Sequence, residues 1–267
     1  MKYPIYQVDA FTVSPFSGNP AAVVLLDHSK EADWMQAVAS EMNLSETAFL
    51  LAKGDDYSLR WFTPVTEVDL CGHATLASAH ILYESGYYEL DETIQFITRS
   101  GVIKAAFDQG TIELTMPRRE PIPFAISADI KKSLNLNAVD VARWQENLLL
   151  IELESSEQVR DYEPDIKNIL QLPWEDLVIT ARDETGKFDF VSRFFAPQLG
   201  INEDPVTGMS FCVLGPYWQE KLGKSTFHAF QASPRGGEVW VKVEPDHVLI
   251  GGKAVTVLKG DLQHQRD

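Results

Sequence analysis

Apolar and polar residues alternate over many short stretches of this chain, and that pattern predicts strands more often than helices. The first alternation covers 3–10, and a turn at Gly18-Asn19-Pro20 separates it from an apolar run at 21–26. Further strands are predicted at 47–51, 58–63, 93–98, 101–107, 111–116, 147–153, 177–181, 188–195, 226–231, 238–243, 248–252 and 254–259. The pattern therefore indicates a chain built mainly of strands.

Helical spacing of apolar residues is found in fewer places. The two most informative helices are predicted from Gly72 to about Ser85 and from Gly208 to about Leu222. Glycines at 86 and 223 follow them, as is typical of helix ends. Pro216 lies inside the second helix, where we expect it to kink the helix or shift its register. Shorter helices are predicted at 29–42, 126–134 and 164–170.

The two long helices begin with related motifs, which suggests an internal repeat. Glu67-Val-Asp-Leu-Cys-Gly72 precedes the first and Glu203-Asp-Pro-Val-Thr-Gly208 the second, and their glycines lie 136 positions apart in 267 residues. A proline-rich stretch at 117–124 lies between them. Acidic residues before a glycine also occur at unrelated helix starts. The pattern nevertheless predicts two similar halves, 1–117 and 118–267, joined by the proline-rich crossover.

Composition and charge narrow the function. The chain is 45% apolar, enough to build a core, and its 39 acidic residues outnumber 23 basic ones to give a net charge of −16. Such a chain repels nucleic acid and anionic membranes. No apolar stretch approaches the roughly 18 residues of a membrane span, and the start lacks a signal-peptide pattern. With two cysteines and no zinc-like spacing, we expect a metal-free cytoplasmic protein with two free thiols.

The glycine-led helix starts predict an anion site. The first turn of a helix leaves backbone N–H groups unpaired and carries partial positive charge. The chain has neither a dinucleotide-binding nor a Walker glycine motif, so a small carboxylate suits this arrangement better than a nucleotide. The helix dipole should keep His73, directly after Gly72, neutral near pH 7, although a histidine held by local hydrogen bonds is an equally good interpretation.

Two acidic residues are candidates for proton transfer. Glu46 lies at the entry to an apolar strand, where a carboxyl is poorly solvated, as suits a group that takes and returns a proton. Asp204 lies just before the second helix start. Glu46 could instead be an exposed residue of a connection, and Asp204 could simply stabilise the helix dipole. The helix start should also lower the pKa of the Cys71 thiol, although a buried core cysteine is the simpler interpretation, as it is for Cys212.

Four runs of residues resemble one known family. They are Gly18-Asn-Pro-Ala-Ala-Val, Asn43-Leu-Ser-Glu-Thr-Ala-Phe, Asp69-Leu-Cys-Gly-His-Ala-Thr-Leu-Ala and Glu203-Asp-Pro-Val-Thr-Gly. In this order they resemble the PhzF-like isomerases, named after the phenazine biosynthesis protein PhzF. The resemblance implies an α+β, diaminopimelate-epimerase-like fold. Two pseudo-symmetric halves would each wrap a curved sheet around a central helix, with the active site in the cleft between them.

The resemblance also implies a chemistry. The characterised family reaction is the cofactor-independent isomerisation of a dihydro-hydroxyanthranilate, in which a glutamate moves a proton between ring carbons. By motif, the catalytic residues here are Glu46, His73 and Asp204. Substrate-binding positions carried over in the same way are Asn19, Ser45, Gly72, Gly208 and Met209. No cofactor is implied; a small carboxylate substrate and a homodimer are.

One position departs from the family. The family usually has serine after the last glycine of the fourth run, and this chain has Met209. The backbone N–H can still bind a carboxylate, but the hydroxyl contact is lost and the pocket becomes more apolar.

Two other functions remain open at this point. The same fold implies a two-thiol amino-acid epimerase, for which Cys71 is a plausible first residue, whereas Cys212 lies one turn too deep in its helix to be the second. A non-catalytic carboxylate-binding protein would need the helix-start amides but not Glu46.

Overall fold

The structure is a computed structural model that describes residues 2–263. The outer ends of the two predicted halves, residue 1 and 264–267, lie outside the described residues. Two compact units are present. The first extends from residue 2 to Met116 and resumes at Ile250, and the second runs from Pro117 to Leu249.

The elements follow in chain order. The first part of the chain contains β1 (Lys2–Ala10), β2 (Asn19–Leu26), α1 (Ala32–Met42), β3 (Glu46–Lys53), β4 (Asp56–Phe62), β5 (Glu67–Val68), α2 (Gly72–Glu84), β6 (Ile94–Thr98), β7 (Gly101–Asp108) and β8 (Thr111–Pro117). The rest contains β9 (Ile122–Pro123), α3 (Ala128–Leu134), β10 (Ala138–Trp144), β11 (Leu148–Leu153), α4 (Ser156–Arg160), α5 (Ile166–Ile169), β12 (Asp176–Arg182), β13 (Phe190–Ala196), β14 (Ile201–Asp204), α6 (Phe211–Leu222), β15 (Thr226–Gln231), β16 (Gly237–Val243), β17 (His247–Gly252) and β18 (Ala254–Gln263).

The sheet of the first unit has helices on both faces. β1 pairs with β18 and β2; β2 runs parallel to β3, and β3 pairs antiparallel with β4. β4 then pairs with β5 and β6, and β6, β7 and β8 complete the order. α1 packs against β3 and β4, whereas α2 packs against β1, β2, β3 and β18. Helix α2 is buried around almost its whole circumference, so it is the central helix of this unit.

The second unit repeats this arrangement. β9 pairs with β10, β10 with β11, and β11 runs parallel to β12. β13 pairs antiparallel with β12 and β14 and parallel with β15, which pairs with β16. The buried helix here is α6, where Trp218 stacks on Phe190 of β13 and donates a hydrogen bond to Thr180 of β12 (3.1 Å). Each unit therefore builds one buried helix against its own strands.

Strand register extends the repeat to single residues. In the first unit Ala48 lies opposite Trp61, which lies opposite Val68. In the second unit Val178 lies opposite Phe194, which lies opposite Asp204. Ala48 is the third residue of β3, and Val178 is the third residue of β12. The first residue of β12 is therefore the counterpart of the first residue of β3. The predicted internal repeat is thus confirmed at the level of strand pairing.

The division of the chain differs from the predicted halves at its C-terminal end. The second half was expected to continue to residue 267, but β18 pairs with β1 along its whole length, from Lys2 opposite Gln263 to Ala10 opposite Ala254. The chain from Ile250 onward therefore belongs to the first unit. Sequence periodicity could not show this, because partners about 250 positions apart leave no local signal.

Pro216 does not end or divide α6, which runs from Phe211 to Leu222. Proline has no N–H group, so the carbonyl of Cys212 loses its helical partner. The backbone N–H of Arg119 donates to that carbonyl instead, at 3.1 Å. An external donor thus makes proline tolerable within a buried helix.

None of the helices within residues 2–263 has the length and apolar character needed to cross a membrane, and the longest, α2, has 13 residues.

Gly18, at the entry to β2, occupies a position that only glycine fits. Its φ is +65°, and a Cβ there would lie 2.1 Å from the carbonyl oxygen of Ala10. A β-carbon cannot approach backbone so closely, so the turn before Asn19 depends on glycine.

We expect Gly18→Ala to lower the free energy of unfolding by at least about 2 kcal/mol, because it adds a steric clash to an unfavourable φ. Gly110→Ala is the control. Gly110 also has a positive φ (+86°), but open space surrounds its Cβ position. That variant should lose only about 1 kcal/mol. Urea unfolding of both variants measures the difference, and equal losses would contradict the clash.

Candidate active site in two helix starts

The first candidate site lies at the N-terminus of α2. Cys71 is the N-cap residue in an extended conformation, and helical geometry begins at Gly72. His73 is 4% exposed, so the first turn carries its imidazole into the interior. The helix start thus presents backbone N–H groups and a buried, titratable ring at the same place.

Glu46 lies against this ring. It is the first residue of β3 and pairs with Ala21 of β2, and it is 9% exposed. Its Oε2 atom lies 3.1 Å from Nε2 of His73. The contact is close enough for an ion pair, but neither atom has an aligned hydrogen-bond partner among the described residues. A buried carboxylate with free hydrogen-bonding capacity is poised to exchange a proton or contact a ligand.

The other ring nitrogen faces Asn19 and Cys71. Nδ1 of His73 lies 3.2 Å from Nδ2 of Asn19 and 3.6 Å from Sγ of Cys71. Asn19 is fully buried at the start of β2. Rotation of the Asn19 amide about its terminal bond presents the oxygen, an acceptor, in place of the nitrogen, a donor. Asn19 can therefore form a hydrogen bond with the charged ring or with the neutral ring. These contacts hold the imidazole with Nε2 directed at Glu46.

The predicted neutral state of His73 is wrong. Burial disfavours a charge on the ring, but the sulfur of Cys71 and the carboxylate of Glu46 outweigh that effect and raise the pKa of His73 well above its ordinary value of 6.5. The prediction considered only the helix dipole, which acts through partial charges. A full negative charge 3.1 Å away is the stronger influence.

The simpler interpretation of Cys71, a buried core cysteine, is confirmed, and the helix start does not lower the pKa of its thiol. Burial, reinforced by the negative charge of Glu46, raises the pKa of the Cys71 thiol above its ordinary value. Cys71 is therefore a neutral thiol at neutral pH. Burial raises the pKa of Cys212 to about 12, in line with its expected place in the core. Both thiols are free, as predicted.

The side chains of Glu46, Cys71 and His73 offer donor atoms within 4.8 Å of one another, a spacing that a metal ion could use. However, Cys71 faces Nδ1 of the ring and Glu46 faces Nε2. A metal ion on one ring nitrogen would therefore have its two remaining donors on different sides of the imidazole.

The second candidate site is the loop between β14 and α6. Asp204 is 7% exposed, and its carboxylate accepts a hydrogen bond from the hydroxyl of Thr207. Gln231, fully buried at the end of β15, donates to the Asp204 carbonyl (2.8 Å) and accepts from the Thr207 N–H (2.9 Å). Ser233 adds a hydrogen bond to the Pro205 carbonyl. This loop is therefore held on several sides by the segment after β15.

Gly208 begins a single 3-10 turn, Gly208–Ser210, that leads into α6. The predicted helix start is confirmed, with a tighter first turn than expected. The backbone N–H of Met209 lies in this turn, and its side chain is partly exposed. Its carboxylate contact, like the substrate-binding role of the half-buried Ser45, stays a prediction.

Each helix start follows a short strand held by an arginine–glutamate pair. In the first unit Arg60 of β4 binds both carboxylate oxygens of Glu67 on β5, at 2.6 and 2.7 Å. In the second, Arg193 of β13 binds Glu203 on β14 in the same way, at 2.7 and 2.9 Å. The first glutamate of each repeated motif thus fixes the strand before the helix start.

The first unit brings together three of the predicted site residues, Asn19, Glu46 and His73, and Gly72 precedes the histidine. The second unit holds Asp204, Gly208 and Met209 in one loop. Convergence of all three predicted catalytic residues on one substrate stays a prediction, as do the homodimer and the cytoplasmic location.

Sequence reasoning missed several supporting residues. Cys71 was assigned to the core although it contacts the ring of His73. Gln231 and Arg193 were not singled out, because a polar residue at a strand end and an arginine within an apolar strand have no local signature. The resemblance of the segment that starts at Gln231 to family members was the one available signal.

We expect the imidazole of His73 to titrate well above pH 6.5 in nitrogen-15 NMR spectra. Glu46→Gln should move the midpoint down by at least about one pH unit, because it removes the negative charge beside Nε2. Glu84→Gln is the matched control, since Glu84 lies 3.7 Å from His80 and not beside His73. A midpoint at or below 6.5 in the unmodified protein would contradict the ion pair.

Comparisons with known proteins show which family the chain resembles. A family model described as "Phenazine biosynthesis-like protein" matches residues 8–260. An uncharacterized isomerase of Halalkalibacterium halodurans is 48% identical, over 98% of this chain and 99% of the relative. The human phenazine biosynthesis-like domain-containing protein is 40% identical over the same shares.

Solved structures extend the similarity to the fold. A PhzF-family protein of Enterococcus faecalis matches with a TM-score of 0.94 and 39% identity, over 99% of this chain and all of that one. A probable proline racemase from Agrobacterium radiobacter matches with a TM-score of 0.67 at 11% identity, over 99% of this chain and 93% of that one, which shows a shared fold alone. The predicted α+β, diaminopimelate-epimerase-like fold is thus confirmed, and the chain belongs to the PhzC-PhzF family of phenazine biosynthesis-like proteins.

Proposed function

We propose that this protein is an isomerase that moves a proton within a small carboxylate-bearing substrate, with Glu46 taking and returning the proton. The observation that carries the proposal is the buried carboxylate of Glu46, 3.1 Å from Nε2 of His73 and without an aligned hydrogen-bond partner among the described residues. Bacterial relatives at 48% and 45% identity are called isomerases, which supports the reaction class.

The proposed step balances without an external reagent. The carboxylate of Glu46 removes a proton from a substrate carbon, so that the C–H bond breaks, an O–H bond forms and the electron pair moves through an adjacent double bond. The O–H bond then breaks as the proton is delivered to a different carbon. The ring of His73, whose raised pKa favours its charged form, lies beside the carboxylate of Glu46 before the first step and again after the second.

The helix starts supply the binding contacts in this proposal. Unpaired N–H groups of a first helical turn bind carboxylates well. Two such starts are available, at Gly72 and Gly208. Asp204 is assigned as the third catalytic residue on the family motif, and its Thr207 and Gln231 contacts hold it in one conformation. Exposed carboxylates are plentiful in this acidic chain, but burial distinguishes Glu46 and Asp204 from nearly all of them.

We expect Glu46→Gln to reduce turnover about 10²- to 10⁴-fold, because the amide cannot accept the proton. Turnover is measured by proton NMR in D₂O, as deuterium incorporated into a dihydro-hydroxyanthranilate and a panel of small unsaturated carboxylic acids. Glu41→Gln, on the exposed face of α1, is the matched control and should leave the rate unchanged.

Ligand binding separates this proposal from a non-catalytic carboxylate-binding protein. Glu46→Gln should still bind the acid that the unmodified protein turns over, because the helix-start amides are intact. A ligand that binds both proteins and exchanges deuterium in neither would favour the binding protein. His73 can release its proton when Glu46 is neutralised, so the variant need not contain an unpaired buried charge.

The two-thiol epimerase is disfavoured by the second unit. The repeat makes Thr207 the counterpart of Cys71, and a threonine hydroxyl cannot replace a thiolate as a base. The raised pKa of Cys71 argues in the same direction.

We therefore expect Cys71→Ala to keep deuterium incorporation within about tenfold of the unmodified rate, since the thiol only lines the Nδ1 side of His73. Cys212→Ala is the control for loss of a buried thiol elsewhere. A 10³-fold or larger loss in Cys71→Ala alone, with the fold intact by circular dichroism, would favour thiol chemistry.

A further inference from the structure

The strand register assigns a counterpart to Glu46 in the second unit. Glu46 is the first residue of β3 and lies opposite Ala21 on the parallel strand β2. Asp176 is the first residue of β12 and lies opposite Leu148 on the parallel strand β11. Both strands then pair in the same register with the next strand of their unit. An acidic residue therefore begins the equivalent strand in each unit, although the two local sequences share no motif.

The side chain of Asp176 has different surroundings from those of an acid that only anchors its strand. Its backbone N–H donates to the carbonyl of Asn147 (2.9 Å), which anchors the strand. Its side-chain Oδ1 atom is buried and has no hydrogen-bond partner among the described residues. A carboxyl that served only to stabilise the fold would normally be paired or hydrogen-bonded. This unsatisfied oxygen sets Asp176 apart from half-buried acids such as Asp189, whose two oxygens accept hydrogen bonds from the ammonium of Lys224 and from the N–H of His228.

Three charged groups act on Asp176. Glu175 is its neighbour on the chain, Asp204 is the last residue of β14, and Arg119 lies in the segment between β8 and β9. Burial, together with the carboxylates of Glu175 and Asp204, raises the pKa of Asp176 to about 7, against the opposing charge of Arg119. At neutral pH such an acid is close to half protonated, which is where a group exchanges protons most readily.

We propose that Asp176 is a proton-carrying residue of the second unit, in the position that Glu46 occupies in the first unit, and that its protonation is coupled to the charge of Asp204. When Asp176 gives up its proton, its O–H bond breaks and a bond to that proton forms on the water molecule that accepts it. The proposal deepens the proposed function, on which it rests for the assignment of Asp204 to the site. It gives the second unit a group that can donate a proton near neutral pH.

Carbon-13 NMR of the side-chain carboxyls between pH 4 and pH 9 tests the proposal. The signal of Asp176 should titrate near pH 7. Asp176→Asn assigns the signal by its disappearance. If that variant does not fold, Asp176→Glu moves the signal into the glutamate range and gives the same assignment.

Coupling to Asp204 distinguishes this assignment from burial alone. Asp204→Asn should lower the Asp176 midpoint by at least about half a pH unit, because it removes a negative charge that raises the pKa of Asp176. Glu163→Gln is the matched control and should leave that midpoint in place. A midpoint of Asp176 near 4, or one that Asp204→Asn leaves in place, overturns the proposal. Because these readouts need no turnover, their failure leaves the role proposed for Glu46 untouched.

Thermal unfolding provides an independent readout. A carboxyl whose folded pKa is raised binds more protons folded than unfolded between about pH 4 and pH 7, so it lowers stability as pH rises through that window. Asp176→Asn removes this penalty. The melting temperature of Asp176→Asn minus that of the unmodified protein should therefore be higher at pH 8 than at pH 4, by about 5 °C or more. The same difference for Glu163→Gln should stay constant, and a constant difference for Asp176→Asn also overturns the proposal.

Discussion

The buried contact between Glu46 and His73 is the interaction on which the proposed chemistry depends. Two ionisable groups are withdrawn from water at the start of a central helix, and each is acceptable there only because the other compensates its charge. The sulfur of Cys71 and the carboxylate of Glu46 raise the pKa of His73, so the contact favours the charged ring. In the proposed reaction the carboxylate of Glu46 takes a proton and returns it.

The rest of the first unit positions this pair. Gly18 permits the turn that places Asn19 beside Nδ1 of the ring. Because β2 and β3 run parallel, Asn19 and Glu46 lie at the same end of their strands. Arg60 and Glu67 fix the short strand before the helix. These contacts are made inside the unit and not through solvent. The core of the unit therefore positions the pair.

The two units share a scaffold but differ in the side chains at equivalent positions. The arginine–glutamate pair is retained in both units, because it serves the strand and not the reaction. The counterpart of His73 is Met209, and the counterpart of Asp204 is Val68. Each unit therefore carries different groups at equivalent positions. Besides the arginine–glutamate pair, the start of the strand is ionisable in both units, at Glu46 and at Asp176.

The sequence by itself determined the elements, the repeat and most of the first site. Alternation located nearly all strands, because a half-buried strand must place apolar side chains on one face. Short or weakly patterned elements escaped it, among them β10, β14 and α4. The motifs also identified Glu46, His73 and Asp204, since glycine-led helix starts have a recognisable spacing.

Tertiary structure alone decided what depends on distant partners. It assigned β18 to the first unit, because strand pairing between the two ends of the chain has no local signal. It reversed the expected charge of His73 and left the Cys71 thiol without activation, because a pKa responds to burial and to charges within a few ångströms. Asp176 became visible for the same physical reason. Its equivalence to Glu46 lies in strand register, and two of the charges that act on it, those of Arg119 and Asp204, belong to segments more than 25 residues away.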